Sequence, residues 1–328
     1  WYSNPSASAT SLLATGAPAP YRITQLDWQI DDHADKSAYH HEIDRAFVNV
    51  QRPWGNIILG RQAVGLGRSV LFSAVDMFSP FSPAEIDREW RRGVDAVRME
   101  YELSDTSSAE VMGIFGETWE QSALLTRIRG YVGNVDGELL LGKRANDFIL
   151  GSAVSATVAD AEIHAELNLM DTPEEQAHEF MGNDHQTLMA VFGTSYTFDI
   201  GNGLTILGEY LYNGLGVKDA AEINTRLMDP SFQTRVLRGD MQTVAQEALA
   251  LNLSYPLETA LGAALLVLQN PADGSGLAIP NLSWDFNADT RWLASLYLPW
   301  GEDSSNGQVQ SIYGNTALSL FIQVGIYR

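Results

Sequence analysis

Apolar and polar residues alternate one by one along much of this chain, in runs of about ten. In 160–170, Ile163, Ala165, Leu167 and Leu169 share one face, and Glu162, His164, Glu166 and Asn168 share the other. In 94–103, Val97, Met99, Tyr101 and Leu103 oppose Arg98, Glu100 and Glu102. Leu124, Ile128 and Val132 oppose Arg127, Arg129 and Tyr131, and the final segment sets Leu318, Leu320, Ile322, Val324 and Ile326 against Ser319, Gln323 and Tyr327. Successive side chains of a strand point to opposite sides, so this period predicts two-faced β-strands. Strands of soluble sandwiches run about five or six residues, whereas about ten tilted residues cross a bilayer's hydrocarbon.

The pattern predicts strands near 21–30, 41–52, 55–64, 94–103, 109–117, 122–133, 137–143, 147–157, 160–170, 186–199, 202–213, 242–255, 258–269, 277–286, 291–299 and 313–328. That is about 16, with 14 or 18 as the neighbouring even counts for a single-chain barrel. Short turns fall at 52–56, 133–137, 157–160, 199–203, 255–258 and 286–290, and longer polar loops at 31–40, 65–93, 171–186, 214–240 and 300–312. If the last strand ends at the periplasm, every short turn falls on that side, as in outer-membrane barrels. The expected fold class is therefore all-β: a transmembrane antiparallel β-barrel with long extracellular loops and short periplasmic turns. Trp28, Trp292, Trp300, Tyr210 and Tyr212 near strand ends fit interfacial aromatic girdles. Residues 1–20 are expected to form an N-terminal segment, periplasmic or partly ordered, and 21–328 a single barrel domain.

Composition narrows the classes. The longest clean apolar run, 259–268, is far short of a membrane-spanning helix. Among 328 residues only Lys36, Lys143 and Lys218 are lysine, and the net charge of −21 disfavours nucleic acid, whose phosphates need clustered cations. With no cysteine there is no thiolate metal site, disulfide framework or catalytic thiol.

A barrel of this size encloses water, so its inward face can carry charge. The polar faces offer Asp27, Arg45, Arg98, Glu100, Glu102, Arg127, Arg129, Glu162, His164, Glu166, Glu209, Glu247 and Arg291. A lining of both signs selects polar solutes by charge and size; the same residues could equally pair and brace the lumen. The loop 65–93 carries Pro80 and Pro83, a helix-compatible start at Ser82, and the dense set Asp87, Arg88, Glu89, Arg91 and Arg92. A structured loop of this length is more often functional than idle. It is expected to fold into or over the lumen and set the constriction, or else to sit on the rim held by its own ion pairs. The candidate pore-lining residues are Arg61, Asp87, Arg88, Glu89, Arg91, Arg92, Arg98, Glu100, Arg127, Arg129, Glu162, Glu166 and Glu209.

Residues 60–103 carry a distinctive series: Gly60-Arg61-Gln62 closing a strand; then Asp76, Phe78, Pro80, Phe81, Ser82, Pro83, Ile86, Asp87, Arg88 and Glu89 through the loop; then Arg92 to Arg98 opening the next strand. This stretch, about an eighth of the chain, resembles porin-like outer-membrane barrels of Gram-negative bacteria, distantly similar to alginate-export-type barrels. Asn270, Gly276, Pro280 and the final strand resemble the same proteins more weakly. The resemblance implies a fold and an outer-membrane address, and no particular solute. One departure is the ending Tyr327-Arg328, where many such barrels end on an aromatic.

Other motifs lead nowhere. His178 and His185 sit in an acidic loop whose spacing fits no metal template, and 31–41 is similar. The glycine turns at 64–69 and 272–276 lack what phosphate binding requires, and there is no nucleophile elbow or zinc-protease motif. No enzymatic activity and no cofactor are expected. The expected function is a channel passing small polar solutes, with mild cation preference. The alternatives are an export or substrate-specific channel for an anionic polysaccharide, suggested by Arg61, Arg91, Arg92, Arg98, Arg127 and Arg129, and a barrel scaffold or sheath around a partner such as a redox protein. Expected partners are membrane lipid and lipopolysaccharide, the solutes themselves, and either further copies of the chain or a periplasmic protein.

Overall fold

The structure, a computed structural model, describes residues 21–32, 37–78, 80–85, 91–174, 181 and 185–327, with backbone alone over 27–32 and 37–40. Among the described residues seventeen strands follow one another. β1 (Asp27–Asp32), β2 (Ser37–Glu42), β3 (Ala46–Arg52), β4 (Gly55–Gln62), β5 (Val94–Ser104) and β6 (Ser107–Phe115) come first. Next are β7 (Ala123–Val132), β8 (Val135–Arg144), β9 (Asp147–Val158), β10 (Ala161–Asp171), β11 (Gln186–Phe198) and β12 (Leu204–Asn213). Helices α1 (Ile223–Met228) and α2 (Pro230–Arg238) precede β13 (Glu247–Glu258), β14 (Leu261–Gln269), β15 (Gly276–Asn287), β16 (Thr290–Trp300) and β17 (Ser319–Ile326).

Strands β3 to β17 form one 15-stranded sheet in which each strand pairs only with its sequence neighbours, and every pairing is antiparallel. The alternation of connections holds except between β8 and β9, where the two-residue turn 145–146 lies on the long-loop rim. Residues 53–54, 105–106, 133–134, 159–160, 259–260 and 288–289 are two-residue turns on one rim, joined there by 199–203. Ala159 and Gly133 take the positive φ that such turns require. The other rim carries 63–93, 116–122, 145–146, 172–185, 214–246, 270–275 and 301–318.

Two details differ from the sequence pattern. The strand expected at 41–52 is broken at 43–45, and its first part pairs with β1 in a separate two-stranded sheet. The segment expected as a first strand from residue 21 does not join the main sheet, which therefore holds 15 strands. The cause is Arg22, whose buried guanidinium bonds Glu42, Asp44 and the Gly93 carbonyl oxygen. These contacts lay 21–26 across the long-loop ends of β3, β4 and β5, where the amide of Ile43 donates to Leu26 and that of Asp95 to Tyr21.

The faces of the sheet are reversed relative to a water-soluble protein. On β10, Leu167 and Leu169 are about half exposed at 50% and 47%, while His164, Glu166 and Asn168 are buried. On β5, Val97, Met99, Tyr101 and Leu103 are exposed, as are Leu139, Leu141, Phe148, Leu150, Phe192, Leu249, Leu251, Leu282 and Ile322 on other strands. Aromatic residues mark both rims. Trp54 stacks on Tyr101, Tyr196 meets Phe198 edge-on at 4.6 Å and Trp284 meets Phe286 at 5.1 Å on the tight-turn side. Tyr210, Tyr212 and Trp300 lie towards the long loops, while the side chain of Trp28 falls outside the described residues.

The buried face has two zones. Near the long loops it is apolar (Met112, Ile114, Leu125, Leu140, Ile149, Met170, Met189, Leu211), and Val64, Leu66, Leu71, Phe72, Val75, Met77 and Phe78 of the 63–93 loop pack onto it. Phe232 and Val236 of α2 join the same cluster. Nearer the middle of the strands the face turns charged, with Glu110, Arg127, Glu138, Glu166 and Glu209.

Candidate functional site

The loop after β4 runs over this face without a strand partner, so its amides need acceptors from elsewhere. Side chains supply them in an unbroken series. The amide of Gly67 donates to Glu138 at 3.2 Å, and those of Arg68 and Ser69 to Glu166 at 2.6 and 2.7 Å. The amides of Val70, Leu71 and Phe72 donate to Glu209 at 2.7, 3.0 and 2.7 Å, and that of Ser73 to Gln242 at 2.6 Å. Those of Ala74 and Val75 return to Glu166 at 2.8 and 3.3 Å, and the Ser73 hydroxyl also donates to it at 2.7 Å. Glu166 and Glu209 are almost fully buried, and backbone donors compensate their charge as in an anion nest. His164 Nε2 lies 2.9 Å from Glu209 Oε1. Gly193 leaves room for this pair: a Cβ there would stand 2.2 Å from His164 Nε2.

Beside the loop, charges of alternating sign step across neighbouring strands. Arg98 meets Glu110 at 2.7 Å, Glu110 meets Arg127 at 2.5 Å, Arg127 meets Glu138 at 3.5 Å, and Arg68 of the loop meets Glu138 at 3.5 Å and Asp136 at 2.8 Å. Arg129 pairs with Glu100 and donates to the Ser108 hydroxyl at 2.9 Å. A second cluster fastens the other long loop. Arg235 bonds Asp147 at 3.0 Å and Asp240 at 3.2 Å, Arg238 bonds Asp147 at 3.0 Å, and Arg144 bonds Asp240 at 2.5 Å and the Met77 carbonyl oxygen at 2.7 Å. Arg144 therefore ties α2 to the inserted loop. Burial disfavours the Asp240 anion, but the Arg144 and Arg238 guanidinium groups outweigh this and hold its carboxyl well below the usual range.

The residues expected to line a pore divide into groups. Arg98, Glu100, Arg127 and Arg129 come together in the ladder, and Glu166 and Glu209 form the loop cradle. Glu162 is exposed on the same face near the tight turns. Arg91 pairs with Asp76 and lies over the Phe81 ring at 4.9 Å, and Arg92 comes within 3.7 Å of Glu42 at the rim. Arg61 stands elsewhere: it pairs in register with Asp95 on the face of Leu59 and Val97, and its guanidinium bonds Asp95 and the Ile43 and Thr24 carbonyl oxygens. It clamps the entering chain, because the segment 21–26 covers it. Glu247 likewise falls on the apolar face, opposite Tyr212. Asp87, Arg88 and Glu89, with the side chain of Asp27, lie outside the described residues. Sequence reasoning passed over Glu110, Glu138 and Arg68, and gave Asp76 only as part of the 60–103 motif. Glu110 could have been found, since two-residue alternation places it on the Ser108 face opposite Arg127.

No family model matches the chain, and no curated protein matches it in sequence. Among solved structures it is similar to OccAB1 of Acinetobacter baumannii, at 9% identity and a TM-score of 0.49 over 84% of this chain and 75% of that one. It is also similar to OmpT, an outer membrane protein of Vibrio cholerae, lacking loop L8 (11% identity, TM-score 0.38, 82% and 77% covered). A third likeness is to the outer membrane channel DcaP of Acinetobacter baumannii (12% identity, TM-score 0.36, 82% and 71% covered). Such low identity and overlap transfer no residue role from those proteins to this one.

Two outcomes follow from the cradle. Replacing Glu166 and Glu209 together by alanine strands buried amides and a buried histidine nitrogen, at a cost on the order of 3 kcal/mol or more to loop docking. Limited trypsin digestion then cuts after Arg68 in the double variant under conditions where the unmodified chain resists. The second concerns Asp76. Burial, opposed by the Arg91 guanidinium, pushes its carboxyl up to about 6 from 3.8. The docked loop holds that proton more tightly than the free loop, so this group favours docking below about pH 4 and loses that advantage as pH rises through about 6. Hydrogen exchange of the 67–78 amides, compared at pH 5 and pH 7, should show a smaller pH-dependent change in Asp76→Asn than in the unmodified chain.

Proposed function

We propose that this chain is a porin-like channel of the bacterial outer membrane, passing small polar solutes through a charged lumen narrowed by the 63–93 loop. The observation that carries this reading is the reversal of the sheet: leucine, valine and aromatic side chains face outward across fifteen strands, and most charged strand residues face inward, with Arg61, Asp95 and Glu247 among the exceptions near the long-loop rim. In water such a surface would aggregate; in a bilayer it is the stable arrangement. The two aromatic rims fit the two membrane interfaces, and the tight turns fit the periplasmic side.

The loop leans on the charged strands β6 to β12. On β13 to β15 the same face carries Asn252, Ser254, Ala264, Asn281 and Ser283, all small and half exposed. The open passage is read as running along this wall, whose charged residue Asp285 pairs with Arg291 at the tight-turn end, across from the Arg98–Glu110–Arg127–Glu138 ladder. Because each ladder guanidinium is matched by a carboxylate, and Arg61, Arg91 and Arg92 stand apart from the ladder, the arginines do not form the continuous track that an anionic polysaccharide would follow. Exposed Glu102 and Glu162 at the tight-turn mouth and the net charge of −21 favour cations.

Planar-bilayer recording tests the channel. Discrete conductance steps with a cation-selective reversal potential are expected, and larger steps in the Glu166→Ala/Glu209→Ala double variant; a reconstituted chain that shows no steps is not a pore. Leu167→Lys tests the membrane face. In lipid, a lysine near the midplane costs about 2–4 kcal/mol, read as a shifted urea midpoint for folding into vesicles. A water-facing position would tolerate it without measurable change.

A further inference from the structure

The inserted loop is held by the sheet, and also from above by one short segment that follows α2. The helix ends where Gly239 takes a φ of 79°, and the amide of Asp240 turns back to the Arg235 carbonyl oxygen at 3.0 Å. That turn brings the Asp240 carboxylate to Arg144 Nη1 at 2.5 Å. Arg144 Nη2 in turn donates to the Met77 carbonyl oxygen at 2.7 Å and to that of Arg238 at 3.3 Å. Two residues after Asp240, Gln242 accepts the Ser73 amide at 2.6 Å and donates to the Phe81 carbonyl oxygen at 2.8 Å. Residues 73, 77 and 81 of the loop are therefore all gripped from 238–242, directly through Gln242 or by way of Arg144.

We propose that residues 238–242 form a strap through which the long loop 214–246 sets the position of the inserted loop and so the width of the passage; this rests on the channel reading above. The strap acts as a switch because its charges are buried together. Arg144, Asp147, Arg235 and Asp240 are all buried, and Arg235 joins Asp147 to Asp240 at 3.0 and 3.2 Å. Moving α2 outward takes Asp240 and Arg235 away in one step and leaves Arg144 and Asp147 short of partners. A half-released strap combines that loss with continued burial, so the loop has two arrangements rather than a continuum. Once Asp240 leaves, Arg144 is solvated by water, which competes for the Met77 carbonyl oxygen. Gln242 leaves with the strap and strands the Ser73 amide. Beyond the strap the chain is fixed to the sheet: Asn213 donates to the Thr243 carbonyl oxygen at 3.0 Å, and Val217 bonds Val244 and Gln246 through the backbone. The helix pair pivots there without disturbing β13. Its far side is open to solvent, with Met228 of α1 79% exposed and Leu237 of α2 51% exposed, so the lever is reachable from the long-loop side.

Arg235→Met tests the strap from a distance, because Arg235 bonds Asp147, Asp240 and Thr172 and, among the described residues, nothing in the inserted loop. The full chain is folded into phosphatidylcholine vesicles, and amide exchange of residues 67–75 is followed by mass spectrometry. Exchange about tenfold faster than in the unmodified chain is expected, as for the loss of a buried charge-assisted contact, together with larger single-channel steps in planar bilayers. Arg235→Lys keeps the charge without the planar fork and gives a smaller change of the same sign. When both links are first removed by Arg144→Met and Gln242→Leu, adding Arg235→Met produces no further change. Three results overturn the strap. The first is exchange of 67–75 that neither Arg235 variant alters. The second is an Arg235→Met effect that persists undiminished once both links are gone, which means that it acts through general stability. The third is faster exchange with an unchanged step size, which means that the passage does not depend on α2. A silent bilayer with the unmodified chain refutes the channel reading instead, and the exchange measurements still decide the coupling.

Discussion

Backbone amides that have no strand partner and no water must find an acceptor, and here three glutamates provide it. Glu138, Glu166 and Glu209 project from β8, β10 and β12 onto the inserted loop and take the amides of residues 67–75, with Gln242 filling the one gap. Among its described residues the loop has no helix or strand of its own. Its conformation is templated by carboxylates spaced along a sheet whose registers are fixed by antiparallel pairing. The same bonds solve the opposite problem, since carboxylates turned inward would be costly without donors.

This mutual satisfaction explains why the buried face divides into zones. Close to the long loops, apolar side chains of the sheet meet Leu71, Phe72, Val75 and Phe78 in one buried cluster. Further along the strands, where the loop backbone itself touches the sheet, the face becomes acidic. Beyond the loop, arginines and glutamates neutralise one another across β5 to β8, giving a wall with local charge and little net charge. Arg144 links the two long loops through Met77 and Asp240, so a displacement of α2 bears directly on the inserted loop.

The strand pattern was legible because period two survives whether a face meets lipid or protein. Val97, Met99, Tyr101 and Leu103 declare one side of β5 from sequence alone, and the structure exposes all four. The membership of Arg98, Arg127, Glu166 and Glu209 in one face was equally readable. Their partners were not, because pairing across strands depends on register. Arg61 shows the limit: the Gly60-Arg61-Gln62 motif marks the end of a strand, but the segment that covers this arginine arrives from residues 21–26.

Alternating hydrophobicity, turn chemistry and strand length thus determined the sheet, its two faces and the side on which the loops lie, since each depends on residues near in sequence. Tertiary structure alone decided that Glu166 and Glu209 hold a loop some hundred residues away, that Arg22 removes the first segment from the sheet, and that Asp147 and Asp240 share Arg235 and Arg238. Those outcomes depend on which distant groups must replace water when the faces close over them. No local pattern encodes that competition.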